Sequence, residues 1–210
     1  MAISLKDKKL RLQKEYCKPG SVLDIGFSAN PNRYLTDAVG LDISLPKSAP
    51  KNYTEVFQCN LNMEAIPTSN ERFDNVIAGD VIEHVENPSF FLREVNRVMK
   101  TGGRLIISTP QANYWWTTLH NWFFRGIIGD PDPGEHLSNW TFLDMIRLLK
   151  KNGFEMELLE GFYMTFPWVP LRIRVRRFPA LSWQVFYIAK KVRTPEEAIL
   201  VCVDGEWKKV

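Results

Sequence analysis

Short apolar segments alternate with helical patterns along this chain, and this alternation constrains the fold more than any other feature. The predicted strands are Ser21–Gly26, Val39–Ile43, Thr54–Gln58, Phe73–Gly79, Gly103–Thr109, Phe154–Leu159 and Trp183–Ala189. Buried strands that alternate with helices are typical of a parallel sheet with helices on both faces. We therefore expect an α/β fold with a doubly wound, mostly parallel seven-stranded sheet and flanking helices.

Capping signals mark the helices between these strands. Asn87–Pro88 offers an N-cap followed by proline at the first helical position, and apolar residues at helical spacing follow it. Thr141 and Asp144 have the spacing of a capping box, and Gly153 closes the helix that they begin. Only a short helix, Pro31–Asp37, has room between the first two strands.

Composition and length limit the class of protein. The 210 residues suit one domain over 1–210, with a core over about 20–190, a lysine-rich surface helix over 3–16 and a tail over 194–210. A hydrophobic content of 45% and a net charge of +3 exclude a disordered chain and give no reason to expect a nucleic-acid partner. Neither a secretory signal nor an apolar run of membrane-spanning length is present. Three cysteines without CxxC spacing favour a cytoplasmic location and no zinc site.

The ends of the first two strands indicate a ligand site, because ligands of open α/β sheets bind at the carboxyl ends of the strands. Gly26 permits a sharp turn, and Asn30–Pro31 can cap a helix that faces the same crevice. Asp42 ends the second strand, where a carboxylate accepts hydrogen bonds from ribose hydroxyls. A tight turn with a loop aspartate is the alternative. Dinucleotide-binding sites have the motif G-x-G-x-x-G, and only the first of its three glycines, Gly26, is present here. The sequence therefore argues against NAD or FAD as the ligand.

Four segments in order resemble the motifs of class I S-adenosylmethionine-dependent methyltransferases of the small-molecule type, which have a Rossmann-like fold. They are Val22–Gly26, Gly40–Ile43, Phe73–Val85 and Arg97–Pro110. His136, ahead of a helix that ends at Asn152–Gly153–Phe154, also fits. The resemblance spans roughly residues 20–190 and implies S-adenosyl-L-methionine as cofactor.

The resemblance also implies positions for the cofactor-binding residues. Those facing the methionine end are Asp24, Gly26 and the backbone of Phe27 and Ser28. Those at the ribose and adenine are Asp42, Ile43, Asn60 and Leu61. Those on the floor near the sulfur are Gly79, Asp80 and Val81. The chain departs from the family pattern at Ser28 and Asn30, which stand where glycines are usual, and at Asn60, which replaces a frequent aspartate.

Methyl transfer from a sulfonium requires alignment rather than a metal or an oxyanion hole, but an oxygen acceptor also requires a general base. His84 follows the fourth strand and is the first candidate, with Glu83 beside it to orient it or to point away. His136 is the second candidate, for acceptor contact. Both histidines also have structural alternatives, as a loop residue and a helix-cap residue. His120 lies in a predicted helix rich in aromatic residues, which favours a role in packing over a catalytic one.

Two further patterns are open to more than one interpretation. The aromatic segment from Tyr114 to Phe124 suits an acceptor lid, a membrane-surface contact, core packing or a homodimer interface. Arg172, Arg174 and Arg176 would share one face of a strand, either to meet phosphates or anionic lipid or as a solvated edge.

The sequence therefore predicts a methyltransferase that acts on a small or lipid-linked acceptor by O-methylation, with a saccharide or surface-polymer precursor as one acceptor class. The alternatives are a quinone-type aromatic acceptor, an inactive binding or regulatory module with this fold, and a peripheral membrane scaffold.

Overall fold

A seven-stranded sheet forms the centre of the protein. The computed structural model describes residues 4–124, 136–166, 169–195, 200–203 and 206–209. The strands of this sheet are β1 (Val22–Ile25), β2 (Ala38–Asp42), β3 (Tyr53–Gln58), β4 (Phe73–Gly79), β5 (Met99–Pro110), β6 (Phe154–Gly161) and β9 (Gln184–Lys191). Their order is β3-β2-β1-β4-β5-β9-β6, and β9 alone among them runs antiparallel to its neighbours. The predicted doubly wound, mostly parallel sheet is confirmed.

Helices cover both faces of this sheet, because apolar residues project from the strands on each side. They are α1 (Leu5–Tyr16), α2 (Pro88–Val98), α3 (Trp115–Phe124) and α4 (Phe142–Lys151). One buried cluster packs α2 and α4 on the sheet, and a second packs α1 on the opposite face. Asn87 and Thr141 cap α2 and α4 as predicted, accepting from the N–H groups of Phe90 and Asp144.

Smaller elements lie outside the main sheet. They are the hairpin of β7 (Tyr163–Phe166) and β8 (Val169–Arg174), the pair β10 (Leu200–Val203) and β11 (Glu206–Lys209), and 3-10 turns at Ile82–His84 and Pro179–Leu181. The predicted arginine row is shorter than expected, because β8 ends at Arg174. Arg176 follows in a turn, where its guanidinium pairs with Glu160 at 2.6 Å.

The prediction of a helix over Pro31–Asp37 is wrong. The segment forms successive turns instead. The buried side chain of Asn32 donates to the carbonyl of Leu10 and to Gln13. The amide of Asn52 donates to the carbonyls of Asn32 and Leu35, which a helix would use for its own hydrogen bonds. Side-chain hydrogen bonds thus replace the helical ones, and Asn30–Pro31 caps no helix.

Candidate active site

A crevice of about 260 Å³ opens at the carboxyl ends of β1, β2 and β4. Most of the predicted cofactor-binding residues line it, together with His84. The lining residues from the prediction are Gly26, Asp42, Ile43, Asn60, Leu61, Asp80, Val81 and His84. Asp24, Phe27, Ser28 and Gly79 are not among the lining residues; Asp24 and Phe27 are buried, and Ser28 and Gly79 are half-buried.

Gly26 forms the turn from β1 into the crevice. Its φ is +76°, and a Cβ atom there would lie 2.7 Å from a methyl group of Val81. Glycine is therefore required for both its backbone conformation and its lack of volume. Phe27 turns inward, with its ring 4.9 Å from that of Tyr53, so only its backbone remains near the crevice.

Asp42 joins the loops that follow β1 and β2. One carboxylate oxygen accepts from the N–H of Ser28 at 2.9 Å, and the other accepts from the N–H of Ser44 at 3.2 Å. A carboxylate has about four acceptor positions, so Asp42 retains capacity for the two hydroxyls of a ribose. Its neighbour Ile43 is 61% exposed at the rim, where an apolar side chain suits an adenine face.

Asn60 and Leu61 follow β3 at the other side of the crevice. The N–H of Asn60 donates to the Glu64 carboxylate at 2.7 Å, and its side-chain oxygen accepts from the N–H of Asn62 at 3.1 Å. The loop is thus held by its own polar groups, with Leu61 and Asn62 facing the crevice.

Asp80 is held in a left-handed conformation with φ of +57°, which is uncommon for a residue other than glycine. Its N–H donates to the carbonyl of Ser108, and its carboxylate accepts from Gln184 and pairs with Lys9 of α1. Several contacts therefore fix this residue beside the crevice. The sequence did not predict Lys9 at this site. The many charged residues of α1 indicated a surface helix, so the apolar face by which it packs on the sheet was not recognised.

The Asp24 carboxyl is buried in β1 rather than turned into the crevice. It accepts from the Tyr53 hydroxyl at 2.5 Å, and that hydroxyl accepts from the N–H of Asn32. Burial raises the pKa of the Asp24 carboxyl to about 7. The structure thus places this acid beneath the loop that forms the site.

The raised pKa of Asp24 predicts a pH-dependent stability. Its pKa in the unfolded chain is about 3.9, so its contribution to folding is fully present below about pH 4 and is lost as pH rises through 7. As the pH rises from 5 to 8, the unfolding free energy of Asp24→Asn should therefore increase relative to that of the wild type. Urea denaturation across this range measures it, with the exposed Asp37→Asn as control. A pH-independent difference would contradict this assignment.

Three proton-binding side chains meet at the mouth of the crevice. The ligand atoms of Glu83, His84 and His136 all lie within 4.8 Å of one another, and the two imidazole centroids are 5.0 Å apart. The carbonyl of Glu83 accepts from the N–H groups of Leu137 and Ser138 at 2.8 and 3.2 Å, which draws the segment containing His136 to the 3-10 turn. The two predicted catalytic histidines are thus brought together.

Glu83 is 1% exposed and lies directly behind the histidines. Its Oε2 accepts from the Thr109 hydroxyl at 3.0 Å, whereas its buried Oε1 has no hydrogen-bond partner among the described residues. Burial, reinforced by the negative charge of Asp80, raises the pKa of Glu83 to about 7. The sequence placed Glu83 beside His84 but did not decide whether it joins the site.

The aromatic segment begins in the core and ends in solvent. Tyr114 is 1% exposed, contacts Trp183 edge-on at 5.5 Å and accepts from the N–H of Thr165, whereas Trp122 is 78% exposed. Core packing therefore explains Tyr114 but not Trp122. The side chain of His120 and the loop from Pro131 to Glu135 lie outside the described residues. Within the described part of the chain, no helix is long and apolar enough to cross a membrane.

A family model of the methyltransferase domain matches residues 3–159, so the chain belongs to this methyltransferase family. An uncharacterized protein of Methanocaldococcus jannaschii is 39% identical over 202 residues, covering 87% of this chain and 80% of that protein. The mitochondrial ubiquinone biosynthesis O-methyltransferase of Mus musculus is 34% identical over 107 residues, covering 49% of this chain and 28% of that protein. The match thus spans less than a third of the mouse protein.

Solved structures share the fold at low sequence identity. An S-adenosylmethionine-dependent methyltransferase of Thermotoga maritima, described as a possible histamine N-methyltransferase, has a TM-score of 0.67 and 17% identity, covering 89% of this chain and 91% of that chain. A 1,6-didemethyltoxoflavin-N1-methyltransferase of Burkholderia thailandensis, solved with bound 1,6-didemethyltoxoflavin and S-adenosylhomocysteine, has a TM-score of 0.58 and 15% identity, covering 91% of this chain and 78% of that chain. The fold is that of class I methyltransferases.

The family is that of the methyltransferase domain, the fold is shared with S-adenosylmethionine-dependent methyltransferases, and the crevice fits this cofactor. Asp42 offers acceptors for ribose hydroxyls, exposed Ile43 offers an apolar face for adenine, and Gly26 leaves the space that a side chain would fill. Binding at these particular residues remains a prediction.

Proposed function

We propose that this enzyme methylates a hydroxyl oxygen of a small acceptor bound at the mouth of the crevice. The observation that carries the proposal is the cluster of Glu83, His84 and His136 beside the predicted cofactor site. An oxygen nucleophile must lose a proton as it is methylated, and histidine is the side chain best suited to accept it near neutral pH.

The residues of the crevice then have separate tasks. S-adenosylmethionine, when bound, supplies an electrophilic methyl group on a sulfonium. Asp42 and Asn60 orient the ribose and adenine, which fixes the position of that methyl group. His84 accepts the proton that the acceptor hydroxyl loses as its oxygen takes up the methyl group, and Glu83 stabilises the resulting imidazolium. Alignment by the crevice lowers the entropic part of the barrier.

A hydroxylated aromatic ring is the acceptor class that we favour. Several relatives are named ubiquinone biosynthesis O-methyltransferases, at 24–39% identity over 26–75% of this chain. The aromatic segment with the exposed Trp122 follows β5, whose carboxyl end lies at the same edge of the sheet as the crevice, and exposed aromatic rings suit an aromatic acceptor. Support for a saccharide or lipid-linked acceptor is weaker, because the arginine row that favoured it is shorter than predicted.

A transfer assay with methyl-labelled S-adenosylmethionine tests this proposal. The acceptor panel holds a catechol, a saccharide and a primary amine of similar size. We expect label on the catechol oxygen, at a higher kcat/KM than on the saccharide. Label on the amine alone, or none on any hydroxyl while S-adenosylhomocysteine still binds, would contradict O-methylation. Preference for the saccharide would retain the chemistry and overturn the acceptor class.

A further inference from the structure

We propose that Glu83, His84 and His136 form a binding site for one divalent transition-metal ion. The donor set of two imidazoles and one carboxylate is the set that binds Zn²⁺, Fe²⁺ or Co²⁺ with coordination positions left open. Because nitrogen donors outnumber oxygen, the site favours these ions over Mg²⁺ and Ca²⁺. The inference deepens the proposed function and rests on it only in placing an acceptor hydroxyl beside the ion.

The buried carboxylate of Glu83 is the first reason. Its Oε1 is buried with no hydrogen-bond partner among the described residues. Leaving a buried carboxylate oxygen without a hydrogen-bond partner destabilises the folded protein. Buried charges in proteins are paired or coordinate metals, and a carboxylate oxygen of Glu83 lies within 4.8 Å of a ring nitrogen of each histidine.

The support around the ligands is the second reason. The Thr109 hydroxyl donates to the other oxygen of Glu83 and fixes the plane of the carboxylate. Such hydrogen bonds orient metal ligands in known sites. The backbone bonds from Leu137 and Ser138 to the Glu83 carbonyl hold His136 at the same place, although 53 positions separate it from Glu83.

The geometry needs only small side-chain rotations. Ligand atoms around a tetrahedral zinc ion lie about 3.4 Å apart, since each is about 2.1 Å from the metal. The three donor atoms already lie within 4.8 Å of one another. His84 also lines the crevice, so an ion at this place has an open side toward the acceptor.

An ion here would change how the acceptor is activated. In the ion-loaded enzyme both imidazoles are neutral ligands, so the ion acidifies the acceptor hydroxyl and the proton leaves to bulk water. In the ion-free enzyme His84 accepts this proton, as proposed above. Metal-bound oxygens lose protons at much lower pH than free ones. This proposal departs from the sequence-based prediction, which assigned no metal to the chain.

Titration with Co²⁺ of the chelator-treated full chain tests the site, followed by the visible d–d absorption of the bound ion. We expect one Co²⁺ per chain, displaced by Zn²⁺. Glu83→Gln and His136→Ala should weaken binding by at least about tenfold, since even losing a supporting contact costs about 10–100-fold. Glu86→Gln, an exposed carboxylate three residues from Glu83, should leave Co²⁺ binding unchanged.

The same samples are titrated with S-adenosylhomocysteine, which shows that each variant is folded and separates the two proposals. If S-adenosylhomocysteine binds but Co²⁺ does not, the metal site is overturned and the proposed function stands. If Co²⁺ binds the wild type and both ligand variants equally, the ion lies elsewhere and the site is again overturned. If the wild type binds neither Co²⁺ nor S-adenosylhomocysteine, the metal site and the proposed function are both contradicted.

Discussion

His84→Ala should lower turnover by about 10²–10⁴-fold, the range that a general base contributes. The acceptor hydroxyl would then lose its proton without the imidazole that lines the crevice mouth. The affinity for S-adenosylhomocysteine should stay within about twofold, because the contacts expected for ribose and adenine come from other strands. Steady-state kinetics with the best hydroxyl acceptor, alongside calorimetry, separates the two effects.

Added imidazole provides the matched control for this variant. Free imidazole can occupy the space that the side chain leaves, so turnover of His84→Ala should rise with imidazole concentration. The wild type should not respond. Full turnover in His84→Ala would make this residue structural and would leave His136 as the candidate base. An equal loss of turnover and of S-adenosylhomocysteine affinity would show a collapsed crevice rather than a lost base.

Asp42→Ala should weaken S-adenosylhomocysteine binding by about 5- to 150-fold, which corresponds to about 1–3 kcal/mol for lost charge-assisted hydrogen bonds. Two effects add in this variant. The ribose hydroxyls lose their acceptor, and the N–H groups of Ser28 and Ser44 lose the carboxylate that holds both loops. Asp42→Asn should fall between the wild type and Asp42→Ala, since its remaining oxygen can accept one of these bonds.

Glu55→Ala is the control for the Asp42 variants. Glu55 lies on the adjacent strand β3 and pairs with Arg72 away from the crevice. Its removal changes the net charge as Asp42→Ala does, and S-adenosylhomocysteine affinity should stay at the wild-type value. An affinity of Asp42→Ala equal to that of Glu55→Ala would remove Asp42 from the ribose site.

The sheet could be predicted because each central strand is a short, doubly buried apolar run with a clear end. Phe73–Gly79 was predicted to the residue, and its burial explains why: apolar side chains cover both faces. The motif order also predicted which strand ends meet at the crevice. The turns over 31–37 could not be predicted, because they depend on side-chain hydrogen bonds between residues that are distant in sequence. Asn32 donates to the carbonyl of Leu10, and Asn52 donates to the carbonyl of Asn32.

Some residues of the candidate site could likewise be predicted from the sequence, and others could not. Gly26 and Asp42 could be found because a turn glycine and a strand-end acid have local signatures. The proximity of His84 to His136 depends on backbone bonds between separate segments, and no spacing rule encodes it. Lys9 and Gln13 reach the site because α1 packs on the sheet, where the Gln13 amide fills the place of a Cβ on Gly79 and Lys9 pairs with Asp80. A helix rich in lysine gives no local sign of that placement.

Calorimetric titration of the wild-type chain with S-adenosylhomocysteine shows whether the crevice binds the cofactor. We expect one site per chain with a dissociation constant of about 1–100 μM, a range typical of enzyme ligands. Saturation with one ligand per chain, together with the expected weakening in Asp42→Ala, would establish the crevice as the cofactor site. Absence of binding at millimolar ligand would contradict the claim, because Ser28 and Asn30 would then have replaced glycines that the cofactor requires.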